Sequence, residues 1–221
     1  GHPLKHYTFL LEHFRLATLP QIAELEDRTV TRLGGVVSQM TKKVTKKKES
    51  MAILQLEDLD GTCEVLVFPE AFSTYGANIA LDKAILVCGE VSRRDDQPKI
   101  LAHEVYALDD APRLFSRQLA IHVATMSLQN STLDKIQAIL RLHPGKTKVV
   151  LCLQYPSGER VFIEADKSCY VLPSEGLIKE LERELGEKAV FLTVDPSPCH
   201  KPRPARNNWP RNGASGRGKT T

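Results

Sequence analysis

The run Thr29-Val-Thr-Arg-Leu-Gly-Gly-Val-Val-Ser-Gln-Met40, a lysine-rich connection, and then Met51-Ala-Ile-Leu-Gln-Leu-Glu57, Asp58-Leu-Asp-Gly61 and Thr62-Cys-Glu-Val-Leu-Val-Phe68 decide the fold. Apolar residues recur there with a period of two, the pattern of strands with one face on a core. Asp58-Leu-Asp-Gly61 is turn chemistry between two such runs. The connection carries Lys42, Lys43, Lys46, Lys47 and Lys48. Like charges repel on a hairpin tip, so folding alone gives no reason to collect them there. Two readings stay open. Edge lysines keep a sheet from pairing with its neighbours, or the cluster faces phosphates and releases their counterions.

Working outward, period-two runs also cover 84–93 and 98–108. A short helix between the third and fourth strands, over 69–79, is opened by Pro69, where the missing N–H costs nothing. Five strands with a helix in that place is the element order of an OB-fold barrel. Residues 1–28 are a lead-in, helical from Leu4, with Leu10, Leu11, Phe14 and Leu16 at helical spacing. The barrel is assigned to 29–111, and Asp109-Asp-Ala-Pro112 reads as a boundary. A second unit, 112–195, follows. It has a strand at 118–124, a helix at 132–142 stopped by His143-Pro-Gly145, strands at 148–155 and 159–165, a helix at 173–185 and a strand at 189–194. Ser174 is the expected N-cap of that second helix and Gly186 lies just past its end. The order is β-α-β-β-α-β, the ferredoxin-like split arrangement, which names no function. The fold class is therefore α+β: an OB-fold barrel, a small ferredoxin-like domain and a tail. The tail, 196–221, has six Lys or Arg and no Asp or Glu. Its Pro, Gly, Arg and Asn content predicts disorder.

The chain has 221 residues, 42% of them hydrophobic, and a net charge of only +3, so charge distribution matters more than its sum. Five cysteines (Cys63, Cys88, Cys152, Cys169 and Cys199) are widely spaced without a C-x-x-C pair. That usage fits reduced thiols in a reducing compartment. No apolar run is long enough to span a bilayer. The start at Gly1-His-Pro-Leu4, without Met, reads as a piece of something longer or a trimmed chain.

A search for catalytic chemistry returns little. Cys199-His200 has no second ligand pair at finger-like spacing. Of the seven histidines only His2 and His6 stand at H-x-x-x-H spacing, and no further ligand pair accompanies them. Gly34-Gly35 lies in a strand pattern and marks a bend or a close backbone approach. Glu57, Asp58 and Asp60 are close enough to hold Mg²⁺, but their setting favours a turn. No nucleophile–base pair is nominated and no cofactor is expected. The binding case is better. An OB-fold takes its ligand across strands two and three, between the loops joining strands one to two and four to five. Those loops carry the five lysines and Arg93-Arg94. Aromatic platforms are scarce: strand two has none, and strand three offers only Phe68, whose pattern permits an inward position. Weak, electrostatic and largely sequence-blind binding of nucleic acid is the expectation. The helix at 173–185 is net acidic, with Glu175, Glu180, Glu182 and Glu184 against Lys179 and Arg183, so the second domain is expected to bind protein.

Met51 to Phe72, the basic loop before it and Ile85-Leu-Val-Cys-Gly-Glu-Val-Ser92 after it resemble the OB-fold of the bacterial replicative DNA polymerase III alpha subunit family. Gly1-His-Pro-Leu4 is similar to the stretch that leads into that domain, and Val171 to Ile178 resembles the family's C-terminal domain. The resemblance covers about residues 1–195. It implies a non-catalytic part of a DNA-directed DNA polymerase acting in DNA replication in the bacterial cytoplasm, with single-stranded DNA template as its ligand, because the family's palm carboxylates have no counterpart here. It also implies replisome partners, the clamp-loader tau subunit among them. Beside this nucleic-acid module stand two alternatives: a scaffold docking replisome subunits with merely solvating lysines, and a free-standing OB-fold protein.

Overall fold

The computed structural model describes residues 3–201. The lead-in holds a 3-10 turn at Pro3–Tyr7 running into the helix α1 (Thr8–Phe14), and a second 3-10 turn at Pro20–Glu24. Five strands follow: β1 (Val30–Val44), β2 (Ser50–Glu57), β3 (Thr62–Val67), β4 (Ala84–Ser92) and β5 (Lys99–Ala107). They close into a barrel in the order β1-β2-β3-β5-β4. The helix α2 (Pro69–Tyr75) lies between β3 and β4 in the chain, with proline in its first turn. The architecture is the OB-fold that the strand pattern predicts.

Period two explains which residues fill the barrel. On β2, Ala52, Leu54 and Leu56 are fully buried while Met51, Ile53, Gln55 and Glu57 are half-buried. On β4 the alternation disappears, because both faces are covered. Ile85, Val87 and Val91 join the barrel core. Leu86 and Cys88 point outward into a second cluster with Leu11, Phe14, Leu108, Ala111 and Phe115. A strand buried on both faces reads as a continuous apolar run, which Ala84 to Cys88 is. Gly35 is the close approach expected of the Gly34-Gly35 pair: an added Cβ would lie 2.7 Å from the Glu57 carbonyl oxygen.

The stretch 108–115 is not a loose connection. After a 3-10 turn at Leu108–Asp110 it forms α3 (Ala111–Phe115), whose Ala111 and Phe115 sit in that outer cluster. The second domain then runs β6 (Ser116–Ala124), α4 (Asn130–Leu142), β7 (Pro144–Gln154), β8 (Arg160–Glu164), α5 (Glu175–Leu185) and β9 (Val190–Val194). Ser174 caps α5 by accepting a hydrogen bond from the Leu177 amide at 3.1 Å, and Gly186 ends the helix at φ +101°. The element order is the expected β-α-β-β-α-β, but the strand pairing differs from a split arrangement. The sheet order is β8-β7-β6-β9, so the parallel strands β6 and β7 are direct neighbours. Composition explains the placement: Val149-Val-Leu-Cys152 suits a central strand, whereas every residue of β8 is exposed and suits an edge.

The tail expectation is corrected over its first residues. Residues 195–201 form an ordered strap across the barrel. The Arg32 guanidinium, fully buried on β1, donates from Nη2 to the Asp195 carbonyl at 3.0 Å and from Nη1 to the Ser197 carbonyl at 2.8 Å. The amides of His200 and Lys201 donate to the Glu104 carboxylate at 2.8 and 2.9 Å. Composition alone predicts disorder here, because these bonds come from residues far away in sequence. The remainder of the expected tail, 202–221, lies outside the described residues.

Candidate nucleic-acid interface

Outward residues of β1, β4 and β5 (Val36, Leu86, Cys88 and Tyr106) are covered by α1, α3 and the strap. The outer face of the β1–β2–β3 ribbon is open. Residues paired across antiparallel strands share a face, so the register lists what this surface displays. Thr41 pairs Ile53, which pairs Leu66, and Gln39 pairs Gln55, which pairs Glu64. Lys43 pairs Met51 at the hairpin end.

The lysines are placed differently from one another. Lys42 and Lys43 belong to β1, not to a loop, because the ladder continues through Lys42↔Ala52, Lys43↔Met51 and Val44↔Ser50. Alternation therefore turns Lys43 to the open face and Lys42 away from it. Lys46, Lys47 and Lys48 are exposed on the tip, which is closed by Thr45 N–H to the Glu49 carbonyl at 2.8 Å, with Lys48 at φ 62°.

Phe68, for which an inward position was open, lies on the surface instead. It is 44% exposed, one position past β3, with extended backbone at φ −67° and ψ 165°. Val67 is buried opposite Ala52. Continued alternation puts Phe68 on the open side next to Met51, in line with Lys43. The signal was in the sequence: Cys63, Val65 and Val67 face in, so Phe68 faces out.

The other rim is not the bare cationic loop that Arg93-Arg94 suggests. Arg93 is anchored to the lead-in: its amide donates to Asp27 at 2.9 Å, Nε donates to the Leu25 carbonyl at 2.8 Å, and Nη2 donates to the Ala23 carbonyl. Arg94 is exposed. Between this loop, the Pro20–Glu24 turn and the open face lies a cleft of about 530 Å³ lined by Gln55, Thr62, Glu64, Asp95, Asp96 and Lys99 among others. Lys99 bridges Asp95 and Glu64, both at 2.8 Å, and these bonds raise its pKa above the ordinary lysine value. The cations of the open face are thus gathered at the hairpin, while the cleft lining beside the β4–β5 loop sets Glu64, Asp95 and Asp96 against Lys99.

The carboxylates at the β2–β3 turn serve structure. The Asp58 side chain accepts from the amides of Asp60 and Gly61, both at 2.8 Å, and from Arg15 at 3.0 Å. This closes the turn and ties the lead-in to the barrel. Among the described residues no group of three or more His, Cys, Asp or Glu could hold a metal ion. No helix of the described residues is long and apolar enough to cross a membrane. Cys63, Cys88, Cys152 and Cys169 are buried free thiols.

Comparison with known proteins agrees with this geometry. The family described as OB-fold nucleic acid binding domain matches residues 31–108, the barrel. The DNA polymerase III subunit alpha of Mycobacterium tuberculosis is 34% identical over 192 residues, covering 84% of this chain and 16% of that protein. The resemblance to the DNA polymerase III alpha subunit holds over most of the chain. The alpha subunit of Escherichia coli is 27% identical over 198 residues, covering 88% of this chain and 17% of that protein. The chain thus spans about a sixth of the length of these alpha subunits (16% and 17%). Among solved structures, a domain of replication protein A from Methanococcus maripaludis aligns with 38% of this chain and 89% of its own, at 19% identity and a TM-score of 0.33, too distant to inform function.

Proposed function

We propose that this chain is the non-catalytic C-terminal part of a bacterial replicative DNA polymerase, lying in the cytoplasm and binding single-stranded template across the open face of its barrel. The observation that carries this reading is the row Lys43–Met51–Phe68, with the tip lysines beyond it. A cation and an exposed aromatic ring side by side on a sheet fit a strand that passes phosphates over one and stacks a base on the other. Every base has a ring face, so binding of this kind reads no sequence. Lys42, which faces away, and Arg93, held by the lead-in, contribute little; Lys43, Lys46, Lys47, Lys48 and Arg94 are the cations available. The second domain, with its acidic helix α5, docks replisome subunits, and the tau subunit is the partner that the family likeness suggests.

The test is Phe68→Ala, read by fluorescence anisotropy of a labelled single strand. Loss of one stacked base lowers affinity by about 1–3 kcal/mol and leaves the salt dependence unchanged. Wild-type affinity in a folded Phe68→Ala chain contradicts the reading. One observation favours a scaffold instead: the cleft lining carries Glu64, Asp95 and Asp96 against Lys99 and is net acidic, which suits a basic segment of protein. On that reading Phe68→Ala leaves oligonucleotide binding untouched.

A further inference from the structure

The second sheet ends on β8, Arg160-Val-Phe-Ile-Glu164, bonded to β7 and to no other strand of the sheet. All five residues are exposed, with Val161 at 39%, Phe162 at 63% and Ile163 at 45%. A flat apolar edge without proline or bulge is a template for another strand. The direction of its free backbone groups follows from the ladder. Tyr155 N–H donates to the Glu159 carbonyl, and Ala165 N–H donates to the Val149 carbonyl. Antiparallel pairs alternate between bonded and non-bonded, so Val161 and Ile163 bond to β7. Arg160, Phe162 and Glu164 turn their N–H and C=O groups to the open edge.

The sequence of this edge is complementary to itself. Turned antiparallel about Phe162, Arg160 of one strand meets Glu164 of the other at both ends, Val161 meets Ile163, and Phe162 meets Phe162. The pairs that bond in this register are Phe162 with Phe162 and Arg160 with Glu164, the same residues whose backbone groups are free. A parallel in-register stack sets Arg160 on Arg160 and Glu164 on Glu164, so it is opposed by charge. Glu164 already accepts from Tyr170 on one oxygen and meets Lys148 at 3.3 Å on the other. A carboxylate has lone-pair sites for a further donor.

We propose that two copies of this chain pair edge to edge through β8, antiparallel about Phe162, doubling the four-stranded sheet. The contact is isologous, so it closes on two copies and consumes both edges. A five-residue strand buries less than the roughly 1,000 Å² of a durable interface, so the pairing belongs to high local concentration.

The experiment is sedimentation equilibrium of the full chain up to about 1 mM, with thermal unfolding as the fold control. The wild type shifts from one copy to two across the series. Arg160→Glu or Glu164→Arg makes both end pairs like-charged and weakens pairing by about 10-fold or more. An equimolar mixture of the two variants restores it, because every pair is again opposite in charge. The loss of the Lys148 contact is common to Glu164→Arg alone and in the mixture, so it does not explain the rescue. Phe162→Pro removes an amide that faces the free edge, leaves the β7 ladder whole and abolishes pairing. A wild type that stays single throughout overturns the proposal. So does a mixture no better than its components, or a chain that takes an extended peptide of another protein on β8 in place of its own copy.

Discussion

Arg32→Met is predicted to loosen the strap and the end of α1 together. Arg32 is fully buried, and burial pulls its pKa down from the ordinary arginine value. Its guanidinium lies 4.0 Å over the Phe115 ring and donates to three carbonyls on two segments: Phe14 at 2.6 Å at the end of α1, and Asp195 at 3.0 Å and Ser197 at 2.8 Å in the strap. Methionine fills much of the stem's volume and donates nothing. Each buried acceptor left without a partner costs about 1–3 kcal/mol. Three such losses cannot simply be added, because the strap is free to lift and hydrate its own carbonyls. The Phe14 carbonyl, under the helix, cannot. A net destabilisation of about 2–4 kcal/mol follows. Urea unfolding measures it, and hydrogen exchange locates it: protection falls first at 195–201 and at the end of α1, while β2 and β3 keep theirs. Stability within about 0.5 kcal/mol of wild type, the range of an ordinary surface change, together with unchanged exchange at 195–201, refutes the reasoning.

Gly35→Ala forces a Cβ to within 2.7 Å of the Glu57 carbonyl oxygen and must move β1 from β2; a loss of about 1–3 kcal/mol is expected by thermal unfolding. Ser174→Ala removes the N-cap bond of α5 and costs about 1 kcal/mol by the same assay. The acid dependence of the strap is signed. Burial pushes the Asp195 carboxyl up, but hydrogen bonds from Ser197 and the neighbouring Arg117 outweigh it and hold the pKa below the ordinary aspartate value. Its contribution to stability is therefore complete above that ordinary value and is lost as pH falls through the lowered one. The stability gap between wild type and Asp195→Asn should shrink over that acid range and stay constant at neutral pH.

The barrel was legible because β2 and β3 keep strict alternation, β4 reads as an apolar run and the barrel's helix opens on proline. Ser174 and Gly186 likewise announced α5 by local chemistry. What stayed hidden depends on partners distant in sequence. Lys42 and Lys43 read as loop because they are charged, yet the β1–β2 ladder continues past the core as a ribbon whose backbone bonds ignore side-chain polarity. Arg93 read as a rim cation, and nothing local says that its guanidinium reaches carbonyls of the lead-in. The strap looks like a proline-rich tail until Arg32 and Glu104 are set beneath it. The sheet order of the second domain is equally non-local, since the same β-α-β-β-α-β string permits more than one pairing. Phe68 is the exception: an inward position was left open for it, although alternation from Cys63, Val65 and Val67 turns it outward.

The central claim, that the hairpin lysines meet phosphates beside the open face, is tested most directly by the salt dependence of single-strand binding. Each phosphate contact adds roughly 0.7 to the magnitude of the slope of log affinity against log salt. Replacing Lys43, Lys46, Lys47 and Lys48 by alanine should flatten the slope by about 1.4–2.8, for two to four contacts, with thermal stability unchanged. A folded variant with the wild-type slope would contradict the account.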